Sequence, residues 1–220
     1  MELLSHAYDA TKLILSGMPI VLVLTHSAFF PALLLGIVGG LMGGSHSGGL
    51  RVLAALYVYI FRSVPFLMFI FLVYYGLPYY DIDIGPVSTA IIALALSHGA
   101  YMSEIIRGGL AGFDKGQNEA AIALGFTLWQ RLRDVVLPQT LMAIIPSLLG
   151  QSILMVKDTS LVSVVGISEL TRLGREVVIR TNAPFVVFTI VATSYFILCF
   201  GLELIARHLE ARVRRITTRQ

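Results

Sequence analysis

Long apolar runs separated by short polar punctuation dominate this chain. They cover about residues 18–42, 53–79, 87–106, 140–156 and 183–206, and the last carries no charge before Glu203. A helix of roughly 20 apolar residues crosses the hydrocarbon of a bilayer. A helix also satisfies its own backbone polar groups there, as no open strand can. The pattern therefore predicts an all-α, integral membrane helical bundle of five transmembrane helices. The clearest parts of the second and fourth runs, 64–79 and 140–156, are short for a span, and Pro146 lies inside the fourth. Tilted, broken or protein-covered ends are expected for both.

One stretch breaks the apolar pattern. Residues 107–138 form a polar island between the third and fourth runs. Within it, Glu119, Ala120, Ala121 and Ala123 make a short Ala-rich helix; Glu119 suits the positive end of a helix and the alanines are strong helix formers. Gln117 and Asn118 are placed to cap its start, and Gly125 to end it in the left-handed conformation. Pro138 fits the first turn of the next span. Small side chains would let a partner surface come close, although an ordinary interfacial helix has the same local pattern.

Composition agrees with the pattern. Of 220 residues, 56% are hydrophobic and 13% charged, against about a quarter charged in a soluble domain. The net charge of +3 is small and shows no basic face for nucleic acid. Its distribution is more informative. Arg51 and Arg62 lie between the first two spans, and Arg107, Lys115, Arg131 and Arg133 in the island. Arg207, Arg212, Arg214, Arg215 and Arg219 lie in the C-terminal tail. The opposite side holds only Lys12, Lys157, Arg172, Arg175 and Arg180, and the 80–83 connection has no basic residue. Because cytoplasmic loops collect Lys and Arg, the island and C-terminus are expected in the cytoplasm and the N-terminus outside. Glu169 and Glu176 mark 159–182 as a charge-balanced, partly ordered segment, with a re-entrant path one option. Residues 1–12 lack the basic start and cleavage site of a signal peptide, so no cleavage is expected.

Polar groups at membrane depth are costly and usually face a cavity or a partner. His98, Tyr101 and Glu104 sit three residues apart on the third span, roughly on one face. Gln151 interrupts the fourth span, and Lys157, Asp158 and Thr159 follow at its end. Glu104 or Asp158 could hold an ammonium group, and Lys157 or Thr159 a carboxylate. Interhelical hydrogen bonds or a Lys–Asp structural pair would use the same residues. Pro65 and Arg62 open the second span, where an interfacial anchor is an equal reading for Arg62. Cys199 has no partner for an intrachain disulfide. His6, His26, His46 and His208 are too scattered to join His98 in a metal site, so no metal is expected. No nucleophile setting marks a catalytic residue, and the stretch Gly39–Gly44 lacks the lysine of a phosphate loop. Close helix packing explains those glycines.

The order Glu119-Ala120-Ala121, three residues, Gly125, nine residues, Val135, one residue, Leu137-Pro138 resembles the EAA loop of permease subunits in binding-protein-dependent ABC importers. Val135 replaces the more usual isoleucine. The stretches 61–65, 74–78, 100–107, 115–117 and 157–161 are similar, in order, to the polar amino acid branch, the histidine/glutamine/arginine permease type. The resemblance implies a single transmembrane permease domain over 1–220 with a type I ABC importer-like fold. It implies that Glu119, Ala120, Ala121, Leu124 and Gly125 form a coupling helix seated in a cytoplasmic ATPase. It further implies an ATPase dimer that binds ATP and magnesium, an extracytoplasmic solute-binding protein and a second permease subunit, identical or paralogous, in a bacterial inner membrane. No cofactor is expected in this chain, whose own partners are membrane lipid and an amino acid substrate. Pro65, His98, Tyr101, Glu104, Gln151, Lys157, Asp158 and Thr159 are the candidate pathway residues. A stand-alone secondary carrier or channel is the alternative, but such a protein has no use for the punctuated island.

Overall fold

The computed structural model describes residues 2–217, which contain helices and turns but no strands among them. Ten α-helices follow in order: α1 Glu2–Leu15, α2 Met18–Gly43, α3 Gly48–Ser63, α4 Phe66–Gly76, α5 Gly85–Ala111, α6 Lys115–Ala123, α7 Leu128–Gln130, α8 Leu137–Asp158, α9 Leu170–Thr181 and α10 Pro184–Thr217. A π-helical turn, Arg131–Val136, joins α7 to α8, and a 3₁₀ turn, Thr159–Val165, follows α8.

The bundle is organised on α2 and α5. Small residues make the close approach possible. A Cβ on Gly36 would lie 2.6 Å from Met102 Cβ, and one on Gly40 2.8 Å from Ile106. Gly39 faces Ser103 in the same way. The glycine stretch is thus a packing seam. Ser103 Oγ donates to Gly99 O at 2.8 Å and reaches Leu35 O at 3.3 Å, so the seam also carries a hydrogen bond. Leu24, Ala28, Ala32, Ala90, Leu94, Met102, Met155 and Val162 form one buried core around it. A second core joins Ile14, Val21, Val156, Leu170, Val177, Val187 and Val191.

Among the described residues, four helices are long and apolar enough to cross a membrane, Tyr8–Gly43, Gly85–Ala111, Leu128–Val165 and Pro184–Ala211, and a fifth span results if the bent pair Gly48–Ser63 and Phe66–Tyr80 counts as one. The run expected as one span at 53–79 is broken. Its two halves, Gly48–Ser63 and Phe66–Tyr80, meet at 101°. Pro65 causes the break: it has no N–H to continue the ladder, and it forces Val64 into extended backbone (φ −88°, ψ 125°). The fourth helix starts earlier than the expected residue 140, because a Thr127–Gln130 capping box nucleates it at Leu128. The polar island between long helices therefore narrows from 107–138 to 112–127.

The segment 159–182 is ordered. After the 3₁₀ turn, α9 lies antiparallel to the first part of α10, with Gly174 against Val191 and Glu169 against Tyr195. Glu169 is fully buried. Its carboxylate accepts from the amides of Thr171 (2.7 Å) and Arg172 (2.9 Å), capping α9, and from the Tyr195 hydroxyl (2.7 Å). Replacing Glu169 with Ala removes the cap and takes the acceptor from the Thr171 and Arg172 amides and the Tyr195 hydroxyl, costing about 3 kcal/mol. The apparent melting temperature of the detergent-solubilised protein should fall by several degrees, and an unchanged value would contradict this account of the cap.

Candidate functional site

Two polar clusters lie along α5. The first is buried. His98 is 2% exposed and sits at the middle of the helix, between α2 and α8. Its Nδ1 lies 2.8 Å from Gln151 Nε2, so the amide donates to Nδ1 and the ring proton rests on Nε2. Nε2 lies 3.2 Å from Asp158 Oδ2. That contact is close enough for charge but not aligned as a hydrogen bond, and Nε2 is left as a buried donor without an aligned acceptor. Such orphans are rare in folded proteins, and the Asp158 carboxylate is the acceptor placed beside this one. Asp158 is 37% exposed, which opens the cluster on one side. Phe66, the first residue of α4, has its ring centroid 6.4 Å from the imidazole. The break at Pro65 is what aims α4 at the cluster.

The second cluster faces outward from the chain. Glu104 accepts two hydrogen bonds from Arg107, from Nε at 2.9 Å and Nη2 at 2.8 Å. The Arg62 guanidinium lies 5.1 Å from the centre of the Tyr101 ring, within cation–π range. Arg62, Tyr101, Glu104, Ala55, Val58, Tyr59 and Ser63 line a groove of about 440 Å³ between α3 and α5. The shared face expected for His98, Tyr101 and Glu104 is therefore divided. His98 points inward to α8, whereas Tyr101 and Glu104 point to α3.

The residues at the end of α8 also diverge. Asp158 turns to His98. Lys157 is exposed and lines a separate groove of about 510 Å³ with Ile153, Tyr195, Cys199 and Glu203. Thr159 is fully buried, donates to Val156 O at 2.6 Å, and lies in hydrogen-bond reach of Tyr195. A joint Lys157–Asp158–Thr159 site is not formed, because consecutive helical residues point about 100° apart.

The polar island is a compact, exposed unit. Asp114, not Gln117 or Asn118, caps α6 by accepting from Gly116 N at 2.8 Å. Asp114 precedes the helix in extended backbone, the geometry a cap requires, whereas residues 117 and 118 are already helical. Ala121 alone of the motif turns inward, at 4% exposure. Glu119, Ala120, Leu124 and Gly125 are exposed, and so are the apolar side chains of Ile122, Leu128 and Trp129 beside them. Gly125 has φ +76°, a conformation that costs other residues, and Phe126 N closes the turn onto Ala121 O at 3.0 Å.

The sequence profile described as "Binding-protein-dependent transport system inner membrane component" matches residues 32–215. The chain belongs to this family. The glutamine transport system permease protein of Escherichia coli strain K12 is 34% identical over 190 residues, covering 82% of this chain and 87% of that one. The L-cystine transport system permease protein of Bacillus subtilis strain 168 is 35% identical over 193 residues, covering 87% and 82%. Among solved structures, a chain of "an amino acid ABC transporter with histidines" superposes with a TM-score of 0.87 at 33% identity, covering 94% of this chain and 96% of that one. An inward-facing MetNI methionine ABC transporter shares the fold at TM-score 0.76 and 22% identity, over 91% and 96%. This permease is thus an inner-membrane component of a binding-protein-dependent importer with a type I fold, and the stand-alone carrier is set aside. The relatives are permease subunits and not enzymes in their own right. An ATPase and a binding protein are the general partners of the family.

Two contacts in this permease were not legible from sequence. Glu169 is a poor statistical N-cap, so nothing in its spacing announces a buried carboxylate. Arg131 reads as one of several loop cations, yet its Nη1 donates to Asn118 Oδ1 at 3.0 Å across thirteen residues. The outward cluster carries a direct expectation. Glu104→Gln weakens the clamp on Arg107 and should reduce uptake a few-fold, since a bidentate charged pair exceeds a neutral bond. Unchanged uptake kinetics in proteoliposomes would make Glu104 a purely local helix partner.

Proposed function

We propose that the whole chain acts as one transmembrane permease domain of an ATP-driven importer for polar amino acids, with His98, Gln151 and Asp158 forming a substrate-contact site. The observation that carries this reading is the buried His98 Nε2, which makes no aligned hydrogen bond and lies 3.2 Å from a partly open carboxylate. An amino acid zwitterion matches that pair: its carboxylate accepts from His98, and its ammonium group approaches Asp158. Charged donors and acceptors are needed to replace the water such a ligand loses. The relatives named for glutamine and cystine support the substrate class. Pro65 serves the site indirectly by directing α4, and Tyr101 and Glu104 flank the route through the α3–α5 groove. Lys157 and Thr159 stand outside the contact set.

In this reading Glu119, Ala120, Ala121, Leu124 and Gly125 of α6 seat in an ATPase subunit, which binds ATP and magnesium. The exposure of Glu119, Ala120, Leu124 and Gly125, with Ile122 and Trp129 uncovered beside them, supports a docked rather than a solvent-facing role, while buried Ala121 holds the helix to the protein. The basic residues around the island and along the C-terminal tail support a cytoplasmic α6 and C-terminus with the N-terminus outside. An extracytoplasmic binding protein delivers the ligand, and a second permease subunit, this chain or a paralogue, completes the pathway. ATP binding in the engine shifts the pair between inward and outward access by coupling free energy.

The test is uptake by the purified complex in proteoliposomes, with labelled glutamine, arginine, histidine and cystine offered in turn with the binding protein. Accumulation of at least one of them, dependent on enclosed ATP, is expected. A complex that hydrolyses ATP and imports none of the four, while importing a sugar or an inorganic anion, would overturn the substrate class.

A further inference from the structure

We infer that the Asn118–Arg131 hydrogen bond is a mechanical strut that makes the coupling helix and the foot of the long α7–α8 helix move as one body, so that both are positioning residues for energy coupling. The inference rests on the proposed seating of α6 in an ATPase. Its starting point is a problem of connection. Helix α6 is short and mostly exposed, and the Gly125 turn and Phe126 separate it from the capping box that starts α7. Backbone packing of α6 on the turn 131–136 and buried Ala121 carry part of a push on α6, and a side-chain bridge stiffens that connection. Arg131 Nη1 donates to Asn118 Oδ1 at 3.0 Å, a side-chain hydrogen bond that bridges α6 and the following helix. Both residues are only partly exposed, so the bond is sheltered from competing water.

The position of Arg131 makes the strut consequential. It is the first residue of the π-helical turn Arg131–Val136. Such turns are rare, carry one residue more per bond than an α-turn, and mark places where a helix can bend or change register. Below the π turn, the capping box of Thr127 and Gln130 fixes the helix start through Thr127 N to Gln130 Oε1 at 2.8 Å. Above it, α8 continues as one helix, with Pro146 inside it, to Gln151 and Asp158. The π turn therefore lies between a clamped foot and the helical arm that carries those two residues. With the strut in place, displacement of α6 enters the arm at the π turn and reaches the His98 cluster. Without it, less of the displacement of α6 reaches the arm.

The experiment uses the assembled transporter in proteoliposomes and reads the ratio of ATPase rate with ligand-loaded binding protein to the rate without it, glutamine being the ligand used. Asn118→Leu and Arg131→Gln should each lower the ratio about tenfold, the size of losing a hydrogen bond to a charged group. The double variant should be no worse than either single one, because both remove the same bond. Asn118→Asp keeps the acceptor and adds charge, and should retain the ratio. Additive losses, or a ratio unchanged in both singles, would overturn the strut, as would loss of coupling in Asn118→Asp. Should Asn118→Leu fail to assemble with the ATPase, Arg131→Gln and Asn118→Asp carry the comparison. Failure of all variants to assemble would also overturn it, since a strut is not required for docking. Gly125→Val separates the two ideas. If it uncouples while Asn118→Leu does not, only the strut fails; if neither uncouples, the docking of α6 fails as well.

Discussion

Gly125→Val should cut ATP-driven uptake by at least about tenfold while the protein still inserts in the membrane. The reason is backbone and not space. A Cβ at Gly125 would meet no neighbour within 4 Å, so the substitution creates no clash. The residue sits at φ +76°, where an L side chain costs about 1–2 kcal/mol and a β-branched one more. That cost is enough to open the turn in which Phe126 N bonds Ala121 O and Gly125 N bonds Ile122 O. Once the turn opens, α6 no longer has a fixed angle to α7, and its exposed Leu124 and Ile122 are presented wrongly to the ATPase. Gly125 has no side chain of either polar cluster within 4 Å of the position a Cβ would take, so binding of substrate should be spared. Uptake and ATPase rates measured together in proteoliposomes check this. A loss of both in proportion would point to reduced assembly, and normal uptake would contradict a coupling role for the turn.

Asp158→Ala should raise the substrate concentration for half-maximal uptake by roughly 30-fold, the equivalent of about 2 kcal/mol. The carboxylate lies 3.2 Å from His98 Nε2. Removing it takes away the counter-charge for an ammonium group and leaves His98 more isolated at the core of α5. The neighbouring Lys157→Ala serves as the control. Its side chain faces a different groove, so half-saturation should change little. If both substitutions act equally, the site is not where the geometry of α8 puts it. If neither acts, His98, Gln151 and Asp158 form a structural hydrogen-bond cluster.

How much of this was readable from the residues varies with the physics behind each feature. Helix ends set by local chemistry were legible: Gly125 announced a left-handed stop, and the apolar runs gave the cores of α2, α5 and α10. Features set by tertiary packing were not. Pro65 marked a helix start, but only the path of α4 toward His98 shows that the chain turns by 101° there. The cap of α6 fell on Asp114 because the backbone is extended at that residue, and sequence alone favoured the later Asn118. His98, Tyr101 and Glu104 share a spacing, yet a span with neighbours on both sides buries one face and opens the other. Which face each residue takes depends on α3 and α8, far away in sequence. Glu169 was hidden for the same reason, since its third donor, Tyr195, is twenty-six residues away.

The central claim is that this permease transmits ligand arrival to an ATPase through α6. The most direct measurement is the ATPase rate of the complex in proteoliposomes, with and without glutamine-loaded binding protein, alongside uptake with and without enclosed ATP. The account predicts that loaded binding protein raises the ATPase rate and that uptake requires ATP. Uptake by the permease alone, driven by an ion gradient with no ATPase subunit present, would contradict it.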